Sequence, residues 1–455
     1  MDEDALRSAQ RLREAESLYQ SAIALQMRGN LAAAAGTYRK VVAIVPGHPY
    51  AWSNLGVALR YMGEHEQAAA ALRQAAALLP DNPAILANLG AALNGAGQSD
   101  AAILALQRAI QLQPDHFESI LNLGATYQDL QRLEEAIGRF EKAVTLQPEN
   151  PEGHWGLAMS ALRLGDFSLG WKEFEWRLRM PRLNLRRNFQ QPQWKGQDPT
   201  GKTILLHAEG GFGDAIQFIC LVPDVARRGA TLILECQPEL IRLLSPVPGI
   251  SRVLRRGDPL PPFDWQIPLQ GLPLALGITL QTIPARTPYL SVAPELSAQW
   301  KTRLANDRSF KVGLVWAGSD RTDRSHQLNL FAPLAEARNV RFFSLQKGPE
   351  AAQKPPPGMN WTDFTNELRD FADTAALLEQ LDLLITVDTA AAHLAGAMGK
   401  PVWVLIPRRA DFRWLRGRND SPWYPTMRLF LQERLGEWET PVTMIARALK
   451  EIIPK

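Results

Sequence analysis

The sequence predicts an α + α/β chain in which an N-terminal α-solenoid precedes two Rossmann-like α/β domains. Four prolines recur at intervals of 34 residues: Pro46, Pro80, Pro114 and Pro148. Such a regular interval indicates stacked helical repeats. From about residue 200, short β-branched segments alternate with helical segments, which is typical of a parallel sheet covered by helices. The alternation starts again near residue 311, so we expect two such domains in tandem.

The interval of 34 residues is that of the tetratricopeptide repeat, a helix-turn-helix unit that stacks into a solenoid and usually binds peptides. Small and large apolar residues recur in the same frame: Gly56, Gly90 and Gly124, then Leu72, Leu106 and Phe140. We expect the small residues to mark close approaches of two helices, and the large apolar residues to fill the gaps between neighbouring helices. The prolines are expected in the loop before a helix or in its first turn.

The predicted parts follow one another in this order: a solenoid of about four repeats plus a degenerate fifth (1–178), a linker (179–199), an N-terminal α/β domain (200–298) and a C-terminal α/β domain (299–455). The fifth repeat begins near Glu152 and is rich in tryptophan and phenylalanine, so we expect it to pack against the following domain. Inside the linker, the basic run RLNLRR (182–187) is interpreted as solvated.

Composition sets limits on the function. The formal net charge of the 455 residues is only +3, which gives the chain no overall bias towards nucleic acids or membrane surfaces. The sequence shows no secretion signal and no apolar stretch long enough to span a bilayer, so a cytoplasmic location is expected. Repeat solenoids often self-associate, and a homo-oligomer formed through the repeats therefore remains open.

The loop HAEGGFGD follows the first predicted strand of the α/β region. Gly211 and Gly213 allow backbone amides to approach a ligand closely, and the helix that follows favours an anion at its start. Asp214 has two interpretations: its carboxylate caps this helix, or it takes part in chemistry. The loop alone does not decide between them.

The segment VDTAAAH (387–393) is a second junction between a strand and a helix. Asp388 can accept hydrogen bonds from hydroxyl groups, Thr389 can donate one to a phosphate, and the free amides up to Ala391 point along the helix dipole. His393 is expected about one turn inside the helix. The structural alternative is an aspartate cap with a histidine packed in the core.

Two further strand ends, WAGS (316–319) and LQKG (345–348), are also polar or rich in glycine. Because ligands of open α/β sheets bind beyond the carboxyl ends of the strands, these ends are expected to converge on one crevice. The densest basic segment, residues 408–418, contains five arginines interleaved with aromatic residues. Arg413 is predicted to face the cleft and bind an anionic donor, and a solvated loop is the alternative.

These segments resemble a known family. GGFGDAIQF resembles the glycine-aspartate loop of the heptosyltransferases, and LDLLITVDTAAAHLAGAMGKPVWVL resembles the strand, turn and helix with which that family binds its donor. The heptosyltransferases are GT-B glycosyltransferases, so the resemblance implies a GT-B fold over residues 200–455. The combination with tetratricopeptide repeats is similar to the protein O-GlcNAc transferases and to bacterial repeat-containing glycosyltransferases, including those that act on flagellin.

The resemblance implies that Asp214 is the general base for the acceptor hydroxyl. It implies that Asp388, Thr389, Ala390 and His393 hold the ribose and diphosphate of the donor, with Gln346 and Lys347 near its phosphates. By their places beyond strand ends, the predicted donor-binding set also includes Gly211, Gly213, Trp316, Gly318 and Arg413. Heptosyltransferases commonly have glycine where Ala390 stands, and the methyl group restricts the approach of a phosphate to the backbone. The O-GlcNAc transferases use a histidine near the acceptor. His207 is the only histidine in the first α/β domain, but it lies on a strand, so its role stays open.

The expected function is transfer of a sugar from a nucleotide sugar to a hydroxyl of a protein acceptor recruited by the repeats. No cofactor or metal is expected, because the α/β region contains no Asp-x-Asp motif, and a single carboxylate base suits inversion. One alternative is a non-catalytic scaffold with a degenerate GT-B domain. Another is a transferase for glycolipid or polysaccharide acceptors, which predicts an apolar or basic patch facing a membrane.

Overall fold

The computed structural model describes residues 3–318 and 324–454. The chain forms two compact units, a helical unit (1–161) and an α/β unit (162–455). The division between them falls inside the ninth helix, ahead of the solenoid end predicted at residue 178.

The helical unit is a tetratricopeptide solenoid of successive helix pairs. Its helices are α1 (Glu3–Met27), α2 (Leu31–Ile44), α3 (Pro49–Tyr61), α4 (His65–Leu78), α5 (Pro83–Gly95), α6 (Ser99–Leu112), α7 (Phe117–Asp129), α8 (Leu133–Leu146) and the larger part of α9 (Pro151–Leu164). The four periodic prolines all lie in the turns that precede α3, α5, α7 and α9, as the sequence predicts. Proline is favoured there because it ends one helix without interrupting the hydrogen bonds of the next.

The periodic glycines lie where two helices approach each other, and this prediction is confirmed. A Cβ atom on Gly56 would lie 2.4 Å from Cγ of Leu72, and one on Gly90 would lie 2.4 Å from Cγ of Leu106. Both leucines are fully buried. Because real Cβ atoms do not approach carbon so closely, only glycine fits these positions without a shift of the core.

The first sheet of the α/β unit has four parallel strands in the order β3-β2-β1-β4. They are β1 (Thr203–His207), β2 (Thr231–Cys236), β3 (Ile250–Arg255) and β4 (Trp265–Pro268). The helices before and around them are α10 (Phe167–Phe174), α11 (Phe212–Phe218), α12 (Val222–Ala226), α13 (Ile241–Leu244) and α14 (Leu272–Leu276), and α15 (Pro294–Leu304) follows. β1 is the predicted strand that precedes the loop HAEGGFGD.

The second sheet has six parallel strands in the order β10-β9-β8-β5-β6-β7. They are β5 (Phe310–Val315), β6 (Val340–Ser344), β7 (Trp361–Asp363), β8 (Leu383–Val387), β9 (Val402–Ile406) and β10 (Met427–Leu431), with helices α16 (Phe371–Glu379), α17 (Ala390–Ala397) and α18 (Glu439–Ile452). Counted from β5, this order is 3-2-1-4-5-6, that of the doubly wound dinucleotide-binding fold. Its direction reverses between β5 and β8, the topological switch point where such folds bind ligands.

The segment predicted as a linker (179–199) lies against the first sheet. Trp194 is fully buried, and its backbone N–H donates to the carbonyl of Gln266 on β4 over 2.9 Å. Arg187 forms an ion pair with Glu235, whose side chain is 1% exposed at the end of β2. The solvated interpretation of this basic run is therefore wrong for Arg187, because a buried carboxylate requires a cation.

Trp171, which the sequence assigns to the degenerate fifth repeat, belongs to the α/β unit and packs within it. Trp171 of α10 is 2% exposed. Its ring contacts the ring of Phe218 edge-on at 6.0 Å and that of Phe412 at 5.6 Å. These two partners belong to α11 and to the loop after β9, so α10 packs against both segments.

Candidate functional site

The candidate site begins at the switch point of the second sheet, where β8 ends and α17 starts. Thr389 precedes the helix with an extended backbone, but its side chain does not cap the helix. Its hydroxyl lies 3.1 Å from that of Thr386 instead. The first backbone amides of α17 therefore donate no hydrogen bond to the Thr389 side chain, and such amides, with the positive end of the helix dipole, favour an anion.

Asp388 lies at the same point and is 5% exposed. Burial and the nearby Asp411 charge raise the pKa of its carboxyl, and the Arg324 guanidinium opposes that rise. Arg324 Nη1 is 3.4 Å from Asp388 Oδ2, and among the described residues no partner accepts a hydrogen bond from its buried Nε. Sequence reasoning missed Arg324, although a cation beyond the end of β5 was a usable signal. Ser319, predicted at this strand end, lies outside the described residues.

Gln346 joins the ends of β5 and β6. Its carboxamide oxygen accepts from the backbone N–H groups of Trp316, at 3.0 Å, and Ala317, at 2.9 Å. Its nitrogen donates to the carbonyls of Ala317 and Lys347. The side chain is 3% exposed, so all of its hydrogen-bonding capacity is directed to the protein backbone. Gln346 therefore positions the two strand ends.

Lys347 and Gly318 lie on either side of this junction. The Lys347 ammonium donates to the carbonyls of Thr365, at 2.9 Å, and Leu368, at 2.8 Å, which leaves one of its three N–H groups. A Cβ atom on Gly318 would lie 3.2 Å from Arg324 Nε, so glycine leaves room for that arginine. Trp316 is fully buried beneath them and belongs to the core of the second sheet.

Asp214 lies on α11, beyond the end of β1, with 20% of its side chain exposed. One carboxylate oxygen accepts from the backbone N–H of Gly211 at 2.8 Å, and the other accepts from the guanidinium of Arg413. Burial raises the pKa of the Asp214 carboxyl, and the Arg413 charge opposes the rise. The carboxylate therefore caps α11 and also meets a cation from the second half of the unit.

Gly213 marks the place where α11 crosses α17. A Cβ atom on Gly213 would lie 2.8 Å from Cδ2 of His393 and 3.5 Å from Cα of Ala390. The two helices that start beyond the two sheets are thus in direct contact. This proximity explains glycine at 213 by packing alone.

His393 is buried inside this contact. Its Nδ1 is 3.0 Å from the hydroxyl of Tyr424, and its ring stacks on Trp414 at 5.3 Å. Burial lowers the pKa of His393 to about 3, so its imidazole is neutral at physiological pH. These contacts agree with the alternative in which this histidine is packed in the core.

Arg413 points across to α11 rather than to solvent, and it is 9% exposed. Its Nη1 donates to Asp411 at 2.6 Å, its Nε donates to Gln217 at 2.8 Å, and its Nη2 pairs with Asp214. The solvated-loop alternative is therefore wrong for Arg413. Sequence reasoning missed both Asp411 and Gln217, because their relation to Asp214 exists only in the folded chain.

A buried ion pair holds the loop after β1 from the other side. Arg177, which follows α10, is 1% exposed, and its Nη2 lies 2.6 Å from Oε1 of Glu209. Its Nη1 lies 2.6 Å from Glu175. Burial raises the pKa of Glu209, and the Arg177 charge opposes the rise. This pair fixes the loop that leads to Asp214.

His207 lies at the last position of β1, where its Nε2 is 3.0 Å from the carboxamide oxygen of Gln266. Its ring contacts that of Phe189 at 5.3 Å. Burial lowers the pKa of His207 to about 4, which keeps the ring neutral. The segment that carries Phe189 therefore covers this histidine.

Within the described ranges, 3–318 and 324–454, no group of three or more histidine, cysteine or acidic side chains is arranged to hold a metal ion. None of the helices in the same ranges is both long and apolar enough to cross a membrane.

Comparison with protein families identifies the repeats. Residues 16–48 match one tetratricopeptide repeat model, and residues 53–117 and 121–169 match another. The N-terminal region is therefore a tetratricopeptide solenoid, and such repeats mediate contacts between proteins.

A curated relative extends into the α/β unit. Protein FlbA of Caulobacter vibrioides is 30% identical in an alignment of 323 residues that covers 64% of this chain and 53% of that protein. The chain thus spans about half the length of this relative. Among solved structures, MamA is 23% identical over 36% of this chain and 91% of its own, with a TM-score of 0.32. PilF of Pseudomonas aeruginosa is 23% identical over 37% of this chain and 77% of its own, with a TM-score of 0.33.

Proposed function

We propose that the α/β unit is a GT-B glycosyltransferase that moves a sugar from a nucleotide sugar to a hydroxyl of a protein. The observation that carries the proposal is the strand order of the second sheet, whose switch point presents Asp388, Thr389 and the start of α17. Folds of this order bind nucleotides at that point. The resemblance of the same segment to the donor-binding turn of the heptosyltransferases supports the assignment.

In this proposal the diphosphate of the donor lies at the first amides of α17. Those amides and the helix dipole offer positive charge, and Arg324 adds a cation 3.4 Å from Asp388. Asp388 accepts hydrogen bonds from the ribose hydroxyls. No divalent ion is required in this arrangement, because amides and a guanidinium stabilise the charge of the leaving diphosphate.

Asp214 is the proposed general base. It removes the proton of the acceptor hydroxyl while the acceptor oxygen bonds to the anomeric carbon and the bond from that carbon to the diphosphate breaks. The diphosphate leaves with the bonding electrons, and a single displacement inverts the anomeric centre. The remaining lone pairs of the Asp214 carboxylate can take the proton, since each oxygen already accepts one hydrogen bond.

The tetratricopeptide repeats are proposed to recruit the acceptor protein. A solenoid offers an extended surface suited to a polypeptide, whereas a small acceptor would need none. This part of the proposal rests on the repeats alone.

A non-catalytic scaffold is the second candidate, and one observation favours it. Arg413, Lys347 and Gln346, three polar side chains predicted to bind the donor, are each hydrogen-bonded to other groups of the protein. A scaffold needs such bonds for rigidity and needs no ligand. It predicts that the α/β unit binds neither nucleotides nor nucleotide sugars.

A thermal-shift screen separates the two candidates. We expect one nucleoside diphosphate among UDP, GDP, ADP and CDP, and the matching nucleotide sugar, to raise the melting temperature of the protein. Ligand at 100 times its Kd stabilises the folded state by about 2.7 kcal/mol. The nucleoside without phosphate is the control and should give little shift, because it lacks the group that α17 binds. No shift with any diphosphate or nucleotide sugar would reject the transferase in favour of the scaffold.

A further inference from the structure

We infer that Arg413 is a positioning residue for Asp214: its guanidinium holds the carboxylate in place and ionised, and it does not bind the donor. This inference rests on the proposed function, in which Asp214 is the base. It replaces the donor-binding role that sequence reasoning gives to this arginine.

The geometry of the guanidinium supports the inference. Three of its five N–H groups are used on three different acceptors, Asp411 at 2.6 Å, Gln217 at 2.8 Å and Asp214. Its face lies over the ring of Phe412, with the central carbon 4.4 Å from the ring centroid. Only a planar guanidinium can make this set of contacts, and with 10% of the side chain exposed little of it remains for a phosphate.

The contacts also fix Asp214 relative to both halves of the α/β unit. The Gly211 amide, from the loop after β1, holds one oxygen of the carboxylate, and Arg413, from the loop after β9, holds the other. Asp411 anchors Arg413 to its own loop through both the backbone N–H and Nη1 of the arginine. The carboxylate therefore has little freedom to rotate, which suits a base that must meet a hydroxyl in one orientation.

The local charges show what would change without Arg413. Charged and titratable groups reach Asp214 and Arg413 from each element packed against them: Arg177, Glu209, Asp388, His393, Asp411 and Tyr424. Arg413 makes the largest contribution that opposes the effect of burial on Asp214. Its removal would leave Asp214 and Asp411 as two partly buried carboxylates without their shared cation. The pKa of Asp214 would then rise, and the base would be protonated at a higher pH.

The test compares Arg413→Gln, Arg413→Lys and the wild type in release of nucleoside diphosphate from the nucleotide sugar that the screen identifies. We expect Arg413→Gln to lower kcat by about 100-fold. The acidic limb of its pH profile, where kcat falls as the pH decreases, should lie about one pH unit or more higher than in the wild type. The donor KM should change by less than about threefold, because ground-state binding of the donor is kept. Arg413→Lys should return the acidic limb close to its wild-type position, because it restores the positive charge. It should restore kcat less fully, because an ammonium group cannot make the three hydrogen bonds of the guanidinium.

Arg418→Gln is the matched control, since Arg418 lies in the same loop but pairs with the exposed Asp420. It should leave kcat, KM and the pH profile as in the wild type. If Arg413→Gln raises the donor KM and leaves the acidic limb where it is in the wild type, the inference is overturned and Arg413 binds the donor. Unchanged kinetics would overturn it as well.

Thermal unfolding of Asp214→Asn, Arg413→Gln and the double variant tests the contact without turnover. We expect the double variant to lose less stability than the sum of the single losses, because the two residues share one interaction. If no nucleotide sugar is turned over, the proposed function fails. The double-mutant cycle formed by the two single variants and the double variant then decides the inference alone, and additive losses of stability overturn it. Should Arg413→Gln not fold, Arg413→Lys replaces it in the cycle.

Discussion

Asp214→Asn should lower the rate of sugar transfer by about 10²–10⁴-fold, the contribution typical of a general base. Asparagine keeps an oxygen that can accept from the Gly211 amide, so the cap of α11 is retained, but it cannot take up a proton. The rate is measured as nucleoside diphosphate released from the nucleotide sugar, with water or a protein extract as the acceptor. Nucleotide binding should be unchanged, because Asp214 is not part of the proposed diphosphate site.

Asp420→Asn is the control for this substitution. Asp420 lies in the second half of the α/β unit and has an exposed side chain paired with Arg418. We expect its rate to match that of the wild type. An Asp214→Asn protein that releases nucleoside diphosphate at the wild-type rate would show that another group accepts the proton.

Arg177→Met should lower the free energy of unfolding of the α/β unit by about 3–5 kcal/mol, the usual cost of leaving one partner of a buried ion pair alone. Arg177 is 1% exposed and serves both Glu209 and Glu175, so its loss leaves a buried carboxylate without a cation. The loss should be measured by urea unfolding followed by tryptophan fluorescence. Arg179→Met, at an exposed position two residues later, should cost less than about 1 kcal/mol.

The loss of unfolding free energy caused by Arg177→Met should also depend on pH. Burial already raises the pKa of Glu209, and without the arginine nothing comparable opposes this rise. A carboxyl whose pKa is higher in the folded state is destabilising at a pH above both pKa values, and that penalty is lost as the pH falls and the group protonates. The difference in unfolding free energy between Arg177→Met and the wild type should therefore become smaller towards pH 5. Adding Glu209→Gln to Arg177→Met should restore part of the lost free energy at pH 7. An Arg177→Met protein that loses no more unfolding free energy than Arg179→Met would contradict this account.

The parts of the fold that depend on local periodicity could be predicted from the sequence. The prolines and glycines of the repeats specify helix ends and helix contacts one unit at a time, so Gly90 could be placed at a close contact of two helices without knowledge of the rest. The fully buried strands β8 and β9 are continuous β-branched or apolar runs, and most of β1 and β5 is of the same kind, which is the pattern of a parallel sheet.

Elements with weaker patterns were missed. β3 carries exposed arginines at Arg252 and Arg255, and β7 has only three residues, so neither shows the apolar run of a central strand. β10 lies at the edge of the second sheet, where Arg428 is exposed between buried neighbours. Such strands are recognised by their neighbours in the sheet rather than by their own composition.

The polar contacts of the site were the hardest to predict. Arg413 and Asp214 are 199 positions apart in the chain, and Arg177 and Glu209 are 32 apart, so no short motif connects either pair. Sequence reasoning selected Asp214, Asp388 and Arg413 by their place beyond strand ends. It had no means to determine that the arginine would bind the aspartate. That outcome depends on how α11 and α17 cross at Gly213.

The central claim, that a nucleotide diphosphate lies at the start of α17, is tested most directly by calorimetric titration of Ala391→Asp and Ala391→Asn with the diphosphate found in the screen. Ala391 is the second residue of α17. An aspartate there suits the helix dipole, so the fold is kept, but it competes for the same amides and repels the phosphates. We expect the aspartate variant to bind about 100-fold more weakly than the wild type, a loss of about 2.8 kcal/mol. The uncharged asparagine variant should lose much less. Equal affinities of the two variants would contradict the claim and place the nucleotide elsewhere.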